Sequence, residues 1–169
     1  MPSKTLISPN RRITGQLVEA GKIRFGPAYY ELRIAPYDFT GRRFLGPYVW
    51  SPQSRFLAVT ESLAESYCDG PHTELLMIDF LDETECPLSK ARGYIVPLRF
   101  EHPLIIYQKQ FRGRQSEREF EIEYRKLDRW RPLLKESNEE QTTGQSANRP
   151  KSDSEGGFKP QPETEGRSL

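Results

Sequence analysis

Apolar and polar residues alternate with a period of two along much of the chain between residues 13 and 134. The clearest case is EFEIEYR (119–125), in which Phe120, Ile122 and Tyr124 point to one side and charged residues to the other. A helix would scatter these three apolar residues around its circumference, whereas a strand places them on one face. The segment therefore predicts a half-buried strand with one solvated face.

Other segments extend this pattern. ELLMIDFL (74–81) is apolar at nearly every position, which predicts a strand covered on both faces. Prolines fall at the ends of the apolar runs, where they interrupt no central ladder. The longest helical candidate, SLAESYC (62–68), would make barely two turns. Further strands are predicted at YYELRI (29–34), RFLAVTES (55–62) and PLIIYQKQF (103–111). We therefore predict an all-β fold, an antiparallel meander of stacked or sandwich-like units.

A repeat is visible within this pattern. Laying WSPQSRFLAVTES (50–62) over PLRFEHPLIIYQK (97–109) gives a spacing of 47 residues and superimposes two apolar runs. An alternating strand follows each copy. A polar turn and a short strand come next, DETECPLS (82–89) in one copy and LDRWRPLL (127–134) in the other.

The stretch VWSPQSRFLAVTES (49–62) resembles WSPDGRFLAV, a common start of β-propeller blades in the TolB-like and WD-repeat families. Gln53 and Ser54 stand where those blades usually have Asp and Gly. The likeness covers about residues 28 to 134 and implies about two and a half blade-like units of four strands each. Because a propeller needs about four blades to close, we expect a two-sheet stack built from blade-like hairpins, or a ring completed by further copies of the chain.

Composition divides the chain into three parts. Hydrophobic residues make up 35% of the sequence, against a usual apolar share of about 45–50% that also counts glycine. Residues 135–169 contain no Val, Ile, Trp, Tyr or Cys, so they cannot bury enough apolar surface to offset the entropy of ordering. We predict a flexible N-terminus over 1–12, an all-β domain over 13–134 and a disordered low-complexity tail over 135–169.

Charge and cysteine content narrow the class of protein. A net charge of +1 provides no global field to attract nucleic acid or an anionic membrane. Cys68 and Cys86 are too few for a disulfide framework. The N-terminus has no apolar run typical of a signal peptide, and no stretch is long enough to span a membrane. We therefore expect a soluble, cytoplasmic protein.

Motifs for catalysis are missing from the sequence. We find no nucleophile elbow, no phosphate-binding glycine loop and no paired zinc-ligand motif. His72 and Cys68 would supply only half of a structural zinc site. We expect no cofactor, no metal and no enzymatic activity. The alternative is a small hydrolase whose site, such as a carboxylate pair, forms only in three dimensions.

The segment RGRQSEREFEIEYRKLDRWR (112–131) is the best candidate for a partner surface, because arginine and tryptophan are enriched at interface hot spots. Interleaved arginines and aromatics also suit nucleic acid, whereas cross-strand ion pairs on a solvated face would explain the same mixture without any ligand. We expect a protein partner, with nucleic acid binding and self-association as alternatives. The candidate binding residues are Arg112, Arg114, Arg129, Trp130 and Arg131.

Overall fold

The computed structural model describes residues 2–111 and 118–136. Apart from one short 3₁₀ turn at Tyr124–Lys126, its regular structure is β. The strands are β1 (Ser3–Ile7), β2 (Thr14–Lys22), β3 (Ala28–Arg33), β4 (Phe44–Trp50), β5 (Phe56–Ser62), β6 (Thr73–Asp79), β7 (Thr84–Ala91), β8 (Tyr94–Glu101), β9 (Leu104–Gln110), β10 (Arg118–Glu123) and β11 (Arg131–Pro132).

The strands form two antiparallel sheets. The larger has the order β1-β2-β3-β4-β5-β6-β7-β11 and the smaller the order β10-β9-β8. Every pair of neighbouring strands is antiparallel. The prediction of an all-β antiparallel fold is confirmed. Within the part of the chain that the structure describes, no helix is long and apolar enough to cross a membrane.

The sequence repeat has a counterpart in strand order. β4, β5 and β6 are consecutive neighbours in the large sheet, and β8, β9 and β10 are consecutive neighbours in the small one. The fourth strands differ, since β7 continues its own sheet while β11 leaves the small sheet and pairs with β7, Arg131 opposite Glu85. This pairing joins the second copy to the first. The resemblance to propeller blades stays a prediction.

The large sheet curls around an apolar core on one of its faces. In a flat sheet β1 and β4 would lie about 14 Å apart, at about 4.8 Å per strand. Instead the Tyr48 hydroxyl of β4 contacts the Thr5 carbonyl of β1 at 3.3 Å. Every strand from β1 to β6 contributes to this core, whose main members are Leu6, Leu17, Leu32, Phe44, Leu57, Val59, Leu76 and Ile78.

A second apolar core lies on the other face of the large sheet, where the small sheet stacks against it. β8 runs against β4, β5 and β6. Since β5 and β6 sit between the two cores, all seven residues of β6 are buried. This confirms the predicted two-sided burial over 74–79, whereas Phe80 is half-buried and Leu81 is exposed in the turn that follows. The second core is formed chiefly by Phe56, Ala58, Leu75, Met77, Cys86, Leu88, Ile95, Ile105, Tyr107 and Tyr124.

The predicted strand–turn–strand at 49–62 is confirmed, with β4 ending at Trp50 and β5 beginning at Phe56. Ser54 in the turn has φ 62°, a left-handed conformation that favours glycine. Its hydroxyl accepts a hydrogen bond from the Asn10 amide at 2.9 Å. This bond ties the β1–β2 loop to the β4–β5 turn and favours serine at the usual glycine position.

The ends of the domain differ from the sequence-based boundaries. Ser3–Ile7, inside the segment predicted to be flexible, forms edge strand β1. Its single buried residue, Leu6, leaves no alternation for a pattern to detect. Lys135 forms a bridge with Tyr37, so ordered structure extends just past residue 134. The predicted tail lies outside the described residues from residue 137 onward.

The helical candidate at 62–68 is irregular chain after the end of β5.

Candidate partner-binding cleft

A cavity of about 670 Å³ opens where the small sheet meets the end of β6, and we call this cavity the cleft. Its residues come from the start of β5, the β6–β7 turn, the β8–β9 turn and the segment leading into β11. Several distant parts of the sequence are thereby brought together by the stacking of the two sheets. The lining residues are Gln53, Arg55, Phe56, Asp79, Asp82, Thr84, His102, Tyr124, Arg125 and Trp130.

Arg55 is held by two carboxylates on one side of the cleft. Its Nε lies 3.0 Å from both oxygens of Asp79, and its Nη2 lies 2.6 Å from Asp79 Oδ2 and 2.6 Å from Asp82 Oδ2. Asp79 Oδ1 also accepts the backbone amide of Leu81 at 2.9 Å. The hydrogen bond to Asp79 is the main reason why the pKa of Arg55 is raised. These contacts neutralise Arg55 and fix its guanidinium.

Three aromatic side chains, Phe56, Tyr124 and Trp130, form what we call the aromatic wall. The centre of the Phe56 ring lies 5.1 Å from that of Tyr124 and 6.4 Å from that of Trp130. Trp130 Nε1 donates to the Leu127 carbonyl at 3.2 Å, which leaves the ring half-buried at the cleft. Phe56 also lies under the Arg55 guanidinium at 4.9 Å. Phe56 and Tyr124 are themselves buried, so Trp130 supplies most of the apolar surface that the wall exposes beside the charged groups.

His102, Tyr124 and Arg125 form a directed hydrogen-bond chain. Arg125 Nη2 contacts His102 Nε2, and His102 Nδ1 lies 2.6 Å from the Tyr124 hydroxyl oxygen. Since a guanidinium can only donate, Nε2 must be the acceptor and the imidazole proton sits on Nδ1. Nδ1–H then donates to Tyr124, whose own O–H stays available as a donor.

The Tyr124 hydroxyl keeps its proton at neutral pH. Burial raises its pKa, and the positive charges of Arg125 and Arg55 only partly oppose the shift. Tyr124 is itself a member of the second apolar core. At the cleft it is therefore a neutral hydrogen-bond donor on a fixed ring.

The three predicted binding residues that the structure describes differ in their surroundings. Trp130 lines the cleft, Arg129 is exposed beside it, and Arg131 is drawn away into an ion pair with Glu85 at 2.6 Å. The other two predicted residues, Arg112 and Arg114, lie outside the described residues.

Arg131 belongs to a second ionic group, the Arg42 cluster, which comprises Arg42, Glu61, Glu85 and Arg131. Arg42 binds both oxygens of Glu61, at 3.0 and 2.6 Å, and Glu85 Oε2 at 2.7 Å. Burial alone would lower the pKa of Arg42, but the hydrogen bonds and charges of Glu61 and Glu85 outweigh this effect and raise it. Both carboxylates are largely buried and fully engaged, which favours a structural role.

The acidic turn DETE (82–85) has long-range partners for its three carboxylates. Asp82 binds Arg55, Glu85 joins the Arg42 cluster, and Glu83 binds Lys135 Nζ at 2.6 Å. Each of these carboxylates is thus matched with a cation from another part of the chain.

Cys68 and His72 together could supply only half of the ligands of a structural zinc site, and no metal was expected there. Cys68 Sγ lies 3.0 Å from the Ser66 hydroxyl, and both cysteines are free thiols. Among residues 2–111 and 118–136, no group of three or more His, Cys, Asp or Glu side chains is arranged to hold a metal ion.

Another cavity, of about 570 Å³, lies along β2 and β3. Its charged residues Glu31 and Arg33 pair with each other at 2.9 Å. Its aromatic residues, Tyr37 and Phe39, are buried in the first core, and its described residues include no half-exposed ring comparable to Trp130 of the cleft. The cleft, which is lined by a half-buried tryptophan and two arginines, is therefore the better candidate for a binding site.

Most of the cleft was not predicted from the sequence. Phe56 appeared only as part of a predicted strand, and nothing in the sequence indicated that His102, an exposed residue of the β8–β9 turn, would contact Tyr124. The alternation in 119–125 placed Tyr124 on a buried face, which is the one signal that pointed to it. The rings of Phe56 and Tyr124 meet because the two sheets stack, and no local sequence pattern predicts such a contact. Comparison of the chain with protein-family models, curated proteins and solved structures found no significant match.

Proposed function

We propose that this protein is a non-enzymatic interaction module that binds another protein through the cleft. The observation that carries the proposal is the half-buried Trp130, which completes the aromatic wall beside two arginines. Tryptophan, tyrosine and arginine dominate interface hot spots, where they fill desolvated pockets near the centre of the contact. A cleft of about 670 Å³ is large enough to accept a side chain or short segment of a partner.

The state of the carboxylates supports binding over hydrolysis. A glycosidase-type mechanism needs one carboxyl group that can donate a proton and another that acts as base or nucleophile. Asp79 and Asp82 share Arg55, and the two glutamates of the Arg42 cluster share Arg42. Each of these carboxylates is bound by a guanidinium, which leaves neither pair free to activate a water and protonate a leaving group. Neither pair therefore has the chemistry of an acid–base couple.

Nucleic acid is the second alternative, and the pairing of charges weighs against it. Arg131 is neutralised by Glu85, while Lys126 binds Glu123 at 2.6 Å. A nucleic-acid surface would present such cations to phosphate and would show steep salt dependence. Retention on heparin or single-stranded DNA that falls steeply with salt, and is lost in Arg125→Ala, would favour this alternative.

A cytoplasmic location is part of the proposal. Cys68 is exposed and Cys86 is buried, and both are free thiols, as expected in a reducing compartment. Self-association remains an alternative way to engage a partner, in which the partner is a second copy. Light scattering at micromolar concentration separates the two, because a monomer excludes a stable homo-oligomer.

The test is affinity capture from the native host with the full chain. We expect Trp130→Ala and Arg125→Ala each to reduce the recovery of a specific protein at least tenfold, while Arg33→Ala, which changes an exposed arginine on β3, leaves it unchanged. Circular dichroism establishes that each variant is folded. Equal recovery with the wild type and both cleft variants would overturn the proposal.

A further inference from the structure

The cleft has an unbalanced charge at one end. Arg55 is neutralised by Asp79 and Asp82. Arg125 is exposed, and its partner is the neutral nitrogen of His102. No carboxylate of residues 2–111 or 118–136 pairs with Arg125 or with the neighbouring Arg129. A carboxylate would be a stronger partner for Arg125 than a neutral imidazole, because it adds a full opposite charge and can accept two parallel N–H bonds from the guanidinium.

A second donor lies close to this arginine. Because His102 Nδ1–H donates to the Tyr124 oxygen at 2.6 Å, the Tyr124 O–H is left to donate elsewhere. Arg125 and Tyr124 are consecutive residues of the 3₁₀ turn, and both line the cleft. Two donors of one short turn thus border the same space, which is the arrangement that captures an anionic oxygen.

Apolar surface adjoins these donors. The aromatic wall lines the same cleft, and its Phe56 and Tyr124 rings are fixed by packing in the second core. A ligand with only a charged group would make no contact with this apolar surface. A ligand with only an apolar group would leave Arg125 without a carboxylate partner.

We infer that the cleft recognises a partner segment in which an aromatic or large aliphatic side chain is followed closely by a carboxylate. The apolar side chain lies on the aromatic wall, and the carboxylate accepts hydrogen bonds from Arg125 and the Tyr124 hydroxyl. This inference rests on the proposed function and names the chemistry of its partner.

Two matched dipeptides test it, acetyl-Phe-Glu-amide and acetyl-Phe-Gln-amide, which differ only in the charged group. Each is titrated to millimolar concentration into the full-length ¹⁵N-labelled protein, and the indole N–H signals of the two tryptophans are followed. Trp130 reports on the cleft. Trp50, whose Nε1 is buried without a hydrogen-bond partner, serves as the internal control. We expect the Glu dipeptide to shift the Trp130 signal with a dissociation constant about tenfold lower than that of the Gln dipeptide.

Variants assign the preference to its donors. Arg125→Gln should bind the two dipeptides with equal dissociation constants. Tyr124→Phe should reduce the difference between the two dissociation constants. The control variant, Arg33→Gln, should keep the wild-type preference for the Glu dipeptide. Because Arg125 is exposed, its replacement leaves the core intact, and the dispersion of the same spectra verifies this. Equal binding of the two dipeptides by the wild type, or no shift of Trp130 with either, would overturn the inference. The proposed function would still stand if Trp130→Ala and Arg125→Ala abolished capture of the partner protein.

Discussion

The guanidinium of Arg42 binds the carboxylate of Glu85 at 2.7 Å, across a separation of 43 residues in the sequence. The contact joins the loop before β4 to β7, and Glu85 also accepts Arg131 from β11 at 2.7 Å. Glu85 therefore connects three parts of the large sheet through one side chain.

Loss of this carboxylate should be costly. We expect Glu85→Ala to lower the free energy of unfolding by about 3–5 kcal/mol, because it leaves the largely buried Arg42 with only part of its compensation. Urea unfolding followed by circular dichroism measures the change. Glu31→Ala, which removes an exposed pair with Arg33, should cost no more than about 1 kcal/mol. Similar losses in the two variants would contradict a special role for Glu85.

The turn between β4 and β5 gives a second prediction. Replacing Ser54 removes the acceptor of the Asn10 amide, so both Ser54→Ala and Ser54→Gly should be destabilised. Alanine must also keep the left-handed φ of 62°, which costs an ordinary residue about 1–2 kcal/mol relative to glycine. We therefore expect Ser54→Gly to unfold at a higher temperature than Ser54→Ala. The reverse order would show that this backbone strain is not significant.

The proton position on His102 can be observed directly. At a pH well above about 6.5, where a histidine is normally neutral, long-range ¹H–¹⁵N NMR should find the proton of His102 on Nδ1. Arg125→Gln removes the charged donor to Nε2, so the population should move toward the Nε2–H form. His72 provides the reference signal within the same spectrum. A wild-type proton on Nε2 would refute the hydrogen-bond chain.

Alkaline pH should destabilise the fold through Tyr67. Burial raises the pKa of its hydroxyl above the ordinary value of 10.0. In the range between the two values the unfolded chain loses this proton and the folded one keeps it. The associated stability is therefore fully present below about pH 10 and is lost as pH rises through the folded pKa. Urea midpoints should fall less steeply above pH 10 in Tyr67→Phe than in the wild type, and an unchanged slope would count against the prediction.

The two thiols should react at very different rates. Cys68 is exposed, whereas Cys86 is buried in the second core and burial raises the pKa of its thiol. Since the thiolate is the reactive form, a disulfide reagent should modify one thiol of the native protein and two in denaturant. Cys68→Ser should remove the fast reaction. Rapid modification of native Cys86 would contradict its burial.

Much of the fold was predictable because side-chain alternation is local. The two-sided burial of β6 and the hairpin at 49–62 follow from runs of a few residues. β1 escaped prediction, since it buries a single residue and so offers no period to detect. The short strand predicted within 127–134 is present as β11, although it is only two residues long.

The cleft was largely beyond sequence reasoning. Trp130 was chosen for its residue type, and it does line the cleft. His102 and Tyr124 are 22 residues apart, and they meet only because the β8–β9 turn and the end of β10 lie at the same end of the small sheet. Arg131 was a candidate for binding a partner, but the pairing of β11 with β7 places it opposite Glu85 in a cross-strand ion pair, the alternative explanation for the charges of this segment. Such juxtapositions depend on strand order, which periodicity does not encode.

The short pairing of β11 with β7 has an energetic consequence. Trp130 directly precedes β11, whose ladder with β7 has two residue pairs, and the chain just beyond it is held by backbone hydrogen bonds of Leu133 and Leu134. Local opening of this segment would displace the indole, so whatever occupies the cleft competes with that opening. By thermodynamic linkage, an occupant that stabilises the pairing of β11 with β7 binds the paired state more tightly than the open state by the same free energy. Affinity and local unfolding at this strand should therefore vary together across a series of ligands.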